Sequence, residues 1–282
     1  MKFTVDEYKA WTNKKVTLLG MSGVGKTWLS GILRENDWFH YAGDYRIGTR
    51  YLDEPILDMI KEKAMEVPFL KDLLRKDWIY IRNNIKVHDP GPVLSFIGKP
   101  GNPELGGVEL GDFINRQAAY REAEILAMQD VPGFIEKAQK IYGYQHFVND
   151  VGGSLCELDE PGVIETLVRH TLILYIKVTN KDEEEELIRR ARSAPKPLYY
   201  RPEFLQENLS IYLQEKKLKF ASEIHPDDFI RWIFPRLFHS RIPRYEAIAG
   251  PYGYTVTSQE VAGVRDEQDF LQLLESAVAR GS

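Results

Sequence analysis

Gly20-Met21-Ser22-Gly23-Val24-Gly25-Lys26-Thr27 follows directly on the apolar run Val16-Thr17-Leu18-Leu19 and runs into Trp28-Leu29-Ser30. The octet matches G-x-x-x-x-G-K-[ST] at every fixed position, in the order strand, glycine-rich turn, helix. Glycines let consecutive backbone N–H groups curl around a phosphate, and the helix N-terminus that follows adds positive potential. In such a loop Lys26 reaches the outer phosphates and Thr27 offers its hydroxyl to Mg²⁺. Gly20, Ser22, Gly23, Val24, Gly25, Lys26, Thr27 and Trp28 are therefore the expected nucleotide contacts, with ATP and Mg²⁺ as cofactors. The bland alternative is a structural glycine turn.

The chain has 282 residues, enough for one large α/β domain or a core with a sizeable insertion. Hydrophobic residues make up 43% and charged residues 28%, which supports a substantial core beneath a polar surface. With a net charge of −5 there is no global basic field to draw the chain onto nucleic acid or an anionic membrane. Cys156 is the single cysteine, so no internal disulfide forms and a reducing cytoplasm is expected. Met1-Lys2-Phe3-Thr4-Val5 does not read as a signal peptide, and no apolar run is long enough to span a bilayer. His40, His88, His146, His170, His225 and His239 are scattered without paired spacing, which argues against zinc.

Apolar and aromatic runs predict strands at 15–20, 38–42, 144–149, 171–178 and near Tyr254-Thr255-Val256, and a strand or helix around 78–81. Helical patterning falls at 4–12, 26–35, 54–75, 113–130, 132–141, 161–169, 181–192, 203–217, 226–238 and from Asp266 onward. The stretch from Asp89 to Gly111 is rich in glycine and proline and too long for a plain connection. Strands alternating with helices imply a mainly parallel sheet covered on both faces.

Several further segments resemble the shikimate-kinase-like branch of the P-loop small-molecule kinases. Arg241-Ile242-Pro243-Arg244-Tyr245-Glu246-Ala247-Ile248-Ala249 is similar to that family's R-x-P-x-Y-x-x-x-A, whose arginine binds the substrate carboxylate. Lys196-Pro197-Leu198-Tyr199 looks like its lid segment R-P-L-L, with lysine in place of arginine. Tyr120-Arg121-Glu122-Ala123-Glu124 resembles F-R-x-x-E, and Gly152-Gly153-Ser154 its three-glycine turn. Asp44 corresponds to one acid of D-x-D, the other position being Ala42. The order of these elements agrees with the family, but about 60 extra residues separate Asp44 from Arg121, and more lie between Lys196 and Arg241.

The resemblance implies a three-layer α/β/α P-loop NTPase, a single domain over 1–282, with a helical or loop insertion over 54–112 and a lid over 181–203. In such a kinase Asp44 is the general base or substrate anchor, against the reading of a turn-forming aspartate. Asp150 closes an apolar strand where a carboxylate would hold Mg²⁺ with Thr27, against a capping role. Arg192, with Arg189 and Arg190, would bring positive charge over the transferring phosphoryl group. The bland alternative is a solvated face paired with the preceding glutamates. Arg46, Arg121, Arg241 and Lys196 are anion contacts for the acceptor, and Gly152-Gly153 allow close backbone approach.

The expected activity is Mg·ATP-dependent phosphoryl transfer to a small anionic metabolite, a nucleoside or a nucleotide. Two alternatives stand beside it: an accessory ATPase that drives a protein partner through residues 54–112, and a kinase-like enzyme modifying a larger substrate. Asn180-Lys181-Asp182 is a compressed form of the N-K-x-D that reads guanine, and its position suits a helix cap better.

Overall fold

A computed structural model of the chain describes residues 2–281. Five strands form one parallel sheet: β1 Lys15–Leu19, β2 Trp38–Ala42, β3 His146–Asp150, β4 Leu172–Lys177 and β5 Gly253–Thr257. Their spatial order is β2-β3-β1-β4-β5. Val16, Leu18 and Leu19 of β1 and Leu172 to Ile176 of β4 are all buried, as strands covered on both faces require. Removing one such side chain, Leu18→Ala for example, costs about 2–5 kcal/mol.

The helices are α1 Val5–Ala10, α2 Lys26–Arg34, α3 Gly43–Arg46, α4 Asp53–Met65, α5 Pro68–Arg75, α6 Gly91–Ile97 and α7 Leu110–Gln129. They continue with α8 Val131–Lys140, α9 Pro161–His170, α10 Lys181–Ser193, α11 Pro202–Lys216, α12 Pro226–Tyr252, α13 Ser258–Ala262 and α14 Glu267–Gly281. α2 packs against β2 and β3, and the right-handed rule for parallel crossovers puts it on one face of the sheet. The returns to β3, β4 and β5 put α8, α9 and α12 on the other, giving three layers.

Local chemistry sets the ends of these elements. Thr4 and Glu7 form a reciprocal capping box that starts α1. The Asn180 side chain accepts from the Asp182 N–H at 2.9 Å and starts α10, whose acids lie in its first turn and arginines in its last.

Several segments depart from the sequence reading. The helical stretch 54–75 is broken at Glu66-Val67 into α4 and α5, because Pro68 cannot extend the preceding helix but suits the first turn of a new one. Residues 78–81 form no regular element, because Trp78 and Tyr80 stay largely exposed and pair with no strand. The stretch from Asp89 to Gly111 contains α6 and a short 3₁₀ turn at Pro103–Leu105, and Val93, Phe96 and Ile97 enter the main core. α12 does not end near 238 but runs through Pro235, Pro243 and Pro251 to Tyr252. Each proline removes one backbone N–H, yet the buried face from Phe229 to Ala249 holds the helix continuous.

A second apolar cluster gathers Phe113, Tyr200, Phe204, Tyr212, Phe229 and Ile233. It packs the N-terminal part of α7 against α11 and the first half of α12, so these two long helices each serve both cores. No helix among the described residues is long and apolar enough to cross a membrane.

Candidate active site

The loop Gly20–Thr27 leaves β1 at the carboxyl ends of the strands, where β3 and β4 flank β1 on opposite sides. Ligands of open α/β sheets bind in that crevice. Gly20 has φ +148°, and a Cβ there would stand 2.7 Å from the Ile176 carbonyl oxygen of β4. Gly25, at φ +100°, precedes α2 in a left-handed conformation that a side chain would strain. Both positions need glycine for steric reasons.

Lys26 is 7% exposed, and its ammonium group donates to the carbonyls of Gly20 at 2.7 Å and Met21 at 2.9 Å. No carboxylate lies within 4.0 Å of it among the described residues. Burial pushes its pKa down, and the fields of Asp150 and Asp44 push it back. A buried cation resting only on loop carbonyls is matched to an anion delivered from outside. Thr27 and Asp150 line the same cavity of about 310 Å³, beside Ser22, Asp44, Gly152 and Gly153. Residues that fit Mg·ATP are therefore present: Lys26 and the loop amides for phosphate, Thr27 and Asp150 for the metal. No cluster of three or more acidic, His or Cys ligands forms among the described residues. A single carboxylate plus phosphate oxygens is how Mg²⁺ is commonly held.

The sheet brings the two aspartates together. Ala42 of β2 lies opposite Asp150 of β3, and Asp44 follows two residues later in α3. Burial raises the Asp44 pKa to about 6, and the Asp150 charge adds to it; Lys26 and a hydrogen bond from Tyr120 act in the opposite sense. Such a carboxylate takes up a proton near neutral pH.

Beneath the Gly152-Gly153 turn lies a sealed polar layer. Ser154 Oγ donates to Glu124 Oε2 at 2.6 Å, and Tyr120 OH stands 3.4 Å from Ser154 Oγ. Glu124 is fully buried and its Oε1 has no hydrogen-bond partner among the described residues. Burial drives its pKa to about 8. A Cβ on Gly152 would stand 2.9 Å from Glu124 Oε1, and one on Gly153 would stand 3.1 Å from the Ser22 nitrogen. The turn thus lies between the carboxyl and the phosphate loop.

Arg241 reaches the underside of the loop from α12. It is 2% exposed, donates from Nη2 to the Tyr199 carbonyl at 2.9 Å and holds Nη1 3.9 Å from Met21 Sδ. Its Nε is 3.6 Å from Glu157 Oε1, too long for a hydrogen bond, while Arg201 binds the other oxygen of Glu157 at 3.2 Å. Tyr245, one turn further along α12, donates to the Gly153 carbonyl.

The other expected contacts lie elsewhere. The Arg46 guanidinium turns to Asp130 at 2.7 Å and sits over the Phe134 ring. Arg121 donates to the Leu158 carbonyl rather than entering the phosphate cavity. Arg189 and Arg190 both pair with Glu186 at 2.7 Å on the exposed face of α10, as i,i+3 and i,i+4 spacing favours. Arg192 and Lys196 are exposed, and neither lines that cavity.

Sequence reasoning missed the groups supplied by 54–112. Val87, His88 and Pro90 line the phosphate cavity, and His88 Nε2 lies 2.7 Å from Arg34 Nη1 on α2. Nor did it find His40, whose Nε2 stands 3.6 Å from Asp150 Oδ2. Both histidines were visible in the sequence, but without paired spacing nothing marked them. On the far side of Gly23, Gly25 and Trp28 a second cavity of about 500 Å³ opens between Val178, Leu187 and Val261. Asp182, Glu183, Glu186 and Arg190 of α10 also line it, so Arg190 borders this second cavity rather than the first; its position beside the loop and its mixed apolar and polar lining suit a nucleobase.

No family model matches the chain, and no curated protein matches it. Among solved structures, the chain is similar to a shikimate kinase from Bacteroides thetaiotaomicron. That match has 17% identity and a TM-score of 0.37, covering 95% of each chain. A shikimate kinase from Acinetobacter baumannii, in complex with shikimate, is similar at 14% identity with a TM-score of 0.40, over 95% of this chain and 97% of that one. This chain's own strand order and loop geometry give it the three-layer P-loop α/β/α fold.

Proposed function

We propose that the protein is an Mg·ATP-dependent phosphotransferase acting on a hydroxyl or phosphate of a small molecule. The observation that carries this reading is the buried Lys26 ammonium, held only by two loop carbonyls, beside Thr27, Asp150 and a titrating Asp44 in one cavity. Bound Mg·ATP would supply the phosphoryl group and neutralise its developing charge. Lys26 and the loop amides hold and polarise the phosphates, while Thr27 and Asp150 hold the metal. Asp44 accepts the acceptor hydroxyl's proton, for which a pKa of about 6 is well placed. Gly152-Gly153 shape the acceptor side, with Arg241 supporting the loop from outside the cavity, and the cytoplasm is the proposed compartment.

A second reading, an accessory ATPase working on a protein partner, is favoured by one observation. Phe69, Trp78 and Tyr80, all within 54–112, are 70%, 69% and 80% exposed.

The experiment is ADP formation from Mg·ATP by the purified protein, alone and with a pooled metabolite extract, followed by mass spectrometry of phosphorylated products. Extract-dependent ADP release with a new phosphorylated species, absent in Lys26→Ala, is the expected result. Slow release that ignores the extract would replace the kinase reading with the partner-driven ATPase.

A further inference from the structure

A cavity of about 460 Å³ opens between α7 and α11, outside the phosphate site. Leu110 and Ile114 of α7 and Leu205, Leu209 and Leu213 of α11 supply most of its wall. These residues recur at helical spacing, so each helix turns an apolar stripe toward the gap. Tyr199 and Tyr200 close the inner end, anchored by Gln117, which donates to the Leu198 carbonyl at 3.1 Å and accepts from the Tyr200 N–H at 2.8 Å. With both ends of its amide engaged, Gln117 keeps this wall preformed.

Among the described residues Arg121 is the one charged side chain in the lining. Its Nε and Nη2 donate to the Leu158 carbonyl, and no carboxylate lies within 4.0 Å of it among the described residues. A guanidinium has five N–H donors, so the bond to one carbonyl leaves the Nη1–Nη2 edge available. That edge matches the two oxygens of a carboxylate. An unpaired cation at the side of an apolar cavity is complementary to a molecule with one anionic end and a hydrocarbon body.

We propose that this cavity is a second ligand site, which takes a medium-chain aliphatic carboxylate with its chain among the leucines and its head group on Arg121. The site adjoins the phosphate site without belonging to it, since Tyr199, whose carbonyl holds Arg241, forms part of the cavity wall.

The test is isothermal titration calorimetry of the full chain with sodium octanoate below its micellar range, with 1-octanol and octylammonium as chain-matched probes. One saturable octanoate site per chain is expected, with octanol weaker by about ten-fold or more, as loss of a charged hydrogen bond predicts, and octylammonium undetected. Arg121→Gln should weaken octanoate to the level of octanol. Ala118→Trp, at an exposed lining position of α7, should abolish binding of both while leaving the melting curve unchanged. The probe series needs only the natural protein, so a poorly folding variant does not decide the matter. No saturable octanoate binding, octanol binding as tightly as octanoate, several equivalent weak sites, or octanoate binding untouched by Arg121→Gln in a folded variant would each overturn the proposal.

Discussion

Ser154 Oγ stands 2.6 Å from Glu124 Oε2, with both side chains sealed from solvent under the Gly152 turn. A carboxyl so placed is expensive to ionise, which is why its pKa rises to about 8. The consequence for stability has a definite sign. Glu124 binds its proton more tightly folded than unfolded, so its contribution is full below about pH 4.5 and is lost as pH rises to about 8. Within that window the loss is about 1.4 kcal/mol per pH unit for this one group. Glu124→Gln, which can still accept from Ser154, should match the natural protein at pH 5 and exceed it in stability at pH 9. Denaturant melts at the two pH values would show this, and identical pH slopes would sink it.

Asp44 titrates in the range where an enzyme at neutral pH can use it. With a pKa of about 6, it is protonated and useless as a base at pH 5, and ionised at pH 8. kcat/KM for the acceptor should therefore rise through an acid limb centred near pH 6. Asp44→Asn should lower the rate by about a hundred-fold or more and remove that limb. A variant that retains the limb would assign it to another group.

Among the described residues Lys26 has no carboxylate partner within 4.0 Å, so its removal breaks no ion pair there. Lys26→Met keeps the stem's volume and relieves the burial of a charge. The expected result is a melting temperature equal to or above that of the natural protein, with ATP turnover down by at least about a hundred-fold. A large loss of stability would instead make Lys26 a structural cation.

Gly153 lies against the loop, where an added Cβ would stand 3.1 Å from the Ser22 nitrogen and 3.5 Å from Arg241 Nη1. Its φ is not in the left-handed region, so alanine strains the contact rather than the backbone. Gly153→Ala should weaken nucleotide binding by about 1–2 kcal/mol, as a modest overpacking cost, with little change in unfolding midpoint. Equilibrium binding of a fluorescent ATP analogue, measured beside a thermal melt, separates the two effects.

The phosphate loop and the five strands were legible because their signals are local. Gly20 to Thr27 is a contiguous motif, and the buried run Leu172 to Ile176 reads as a strand wherever it sits. The reach of α12 was not legible, because three prolines argue for helix ends and only the packed face beneath them overrides that preference. Residues 78–81 misled in the opposite direction, since an apolar pattern there meets no partner strand.

The candidate site divides along the same line. Sequence alone marked the loop proposed to bind phosphate, because a loop that wraps an anion needs its glycines, lysine and threonine at consecutive positions. It also indicated Asp44 and Asp150 through their places after apolar strands. Which arginines face the loop was decided only by the tertiary structure. Arg241 arrives from a helix more than 200 residues later, whereas Arg46 and Arg121 are captured by Asp130 and the Leu158 carbonyl. The sealed layer of Tyr120, Glu124 and Ser154, and the histidines around Asp150, likewise exist only where chain segments meet. A guanidinium can serve any anion or carbonyl within reach, and reach is a property of packing rather than of spacing along the chain.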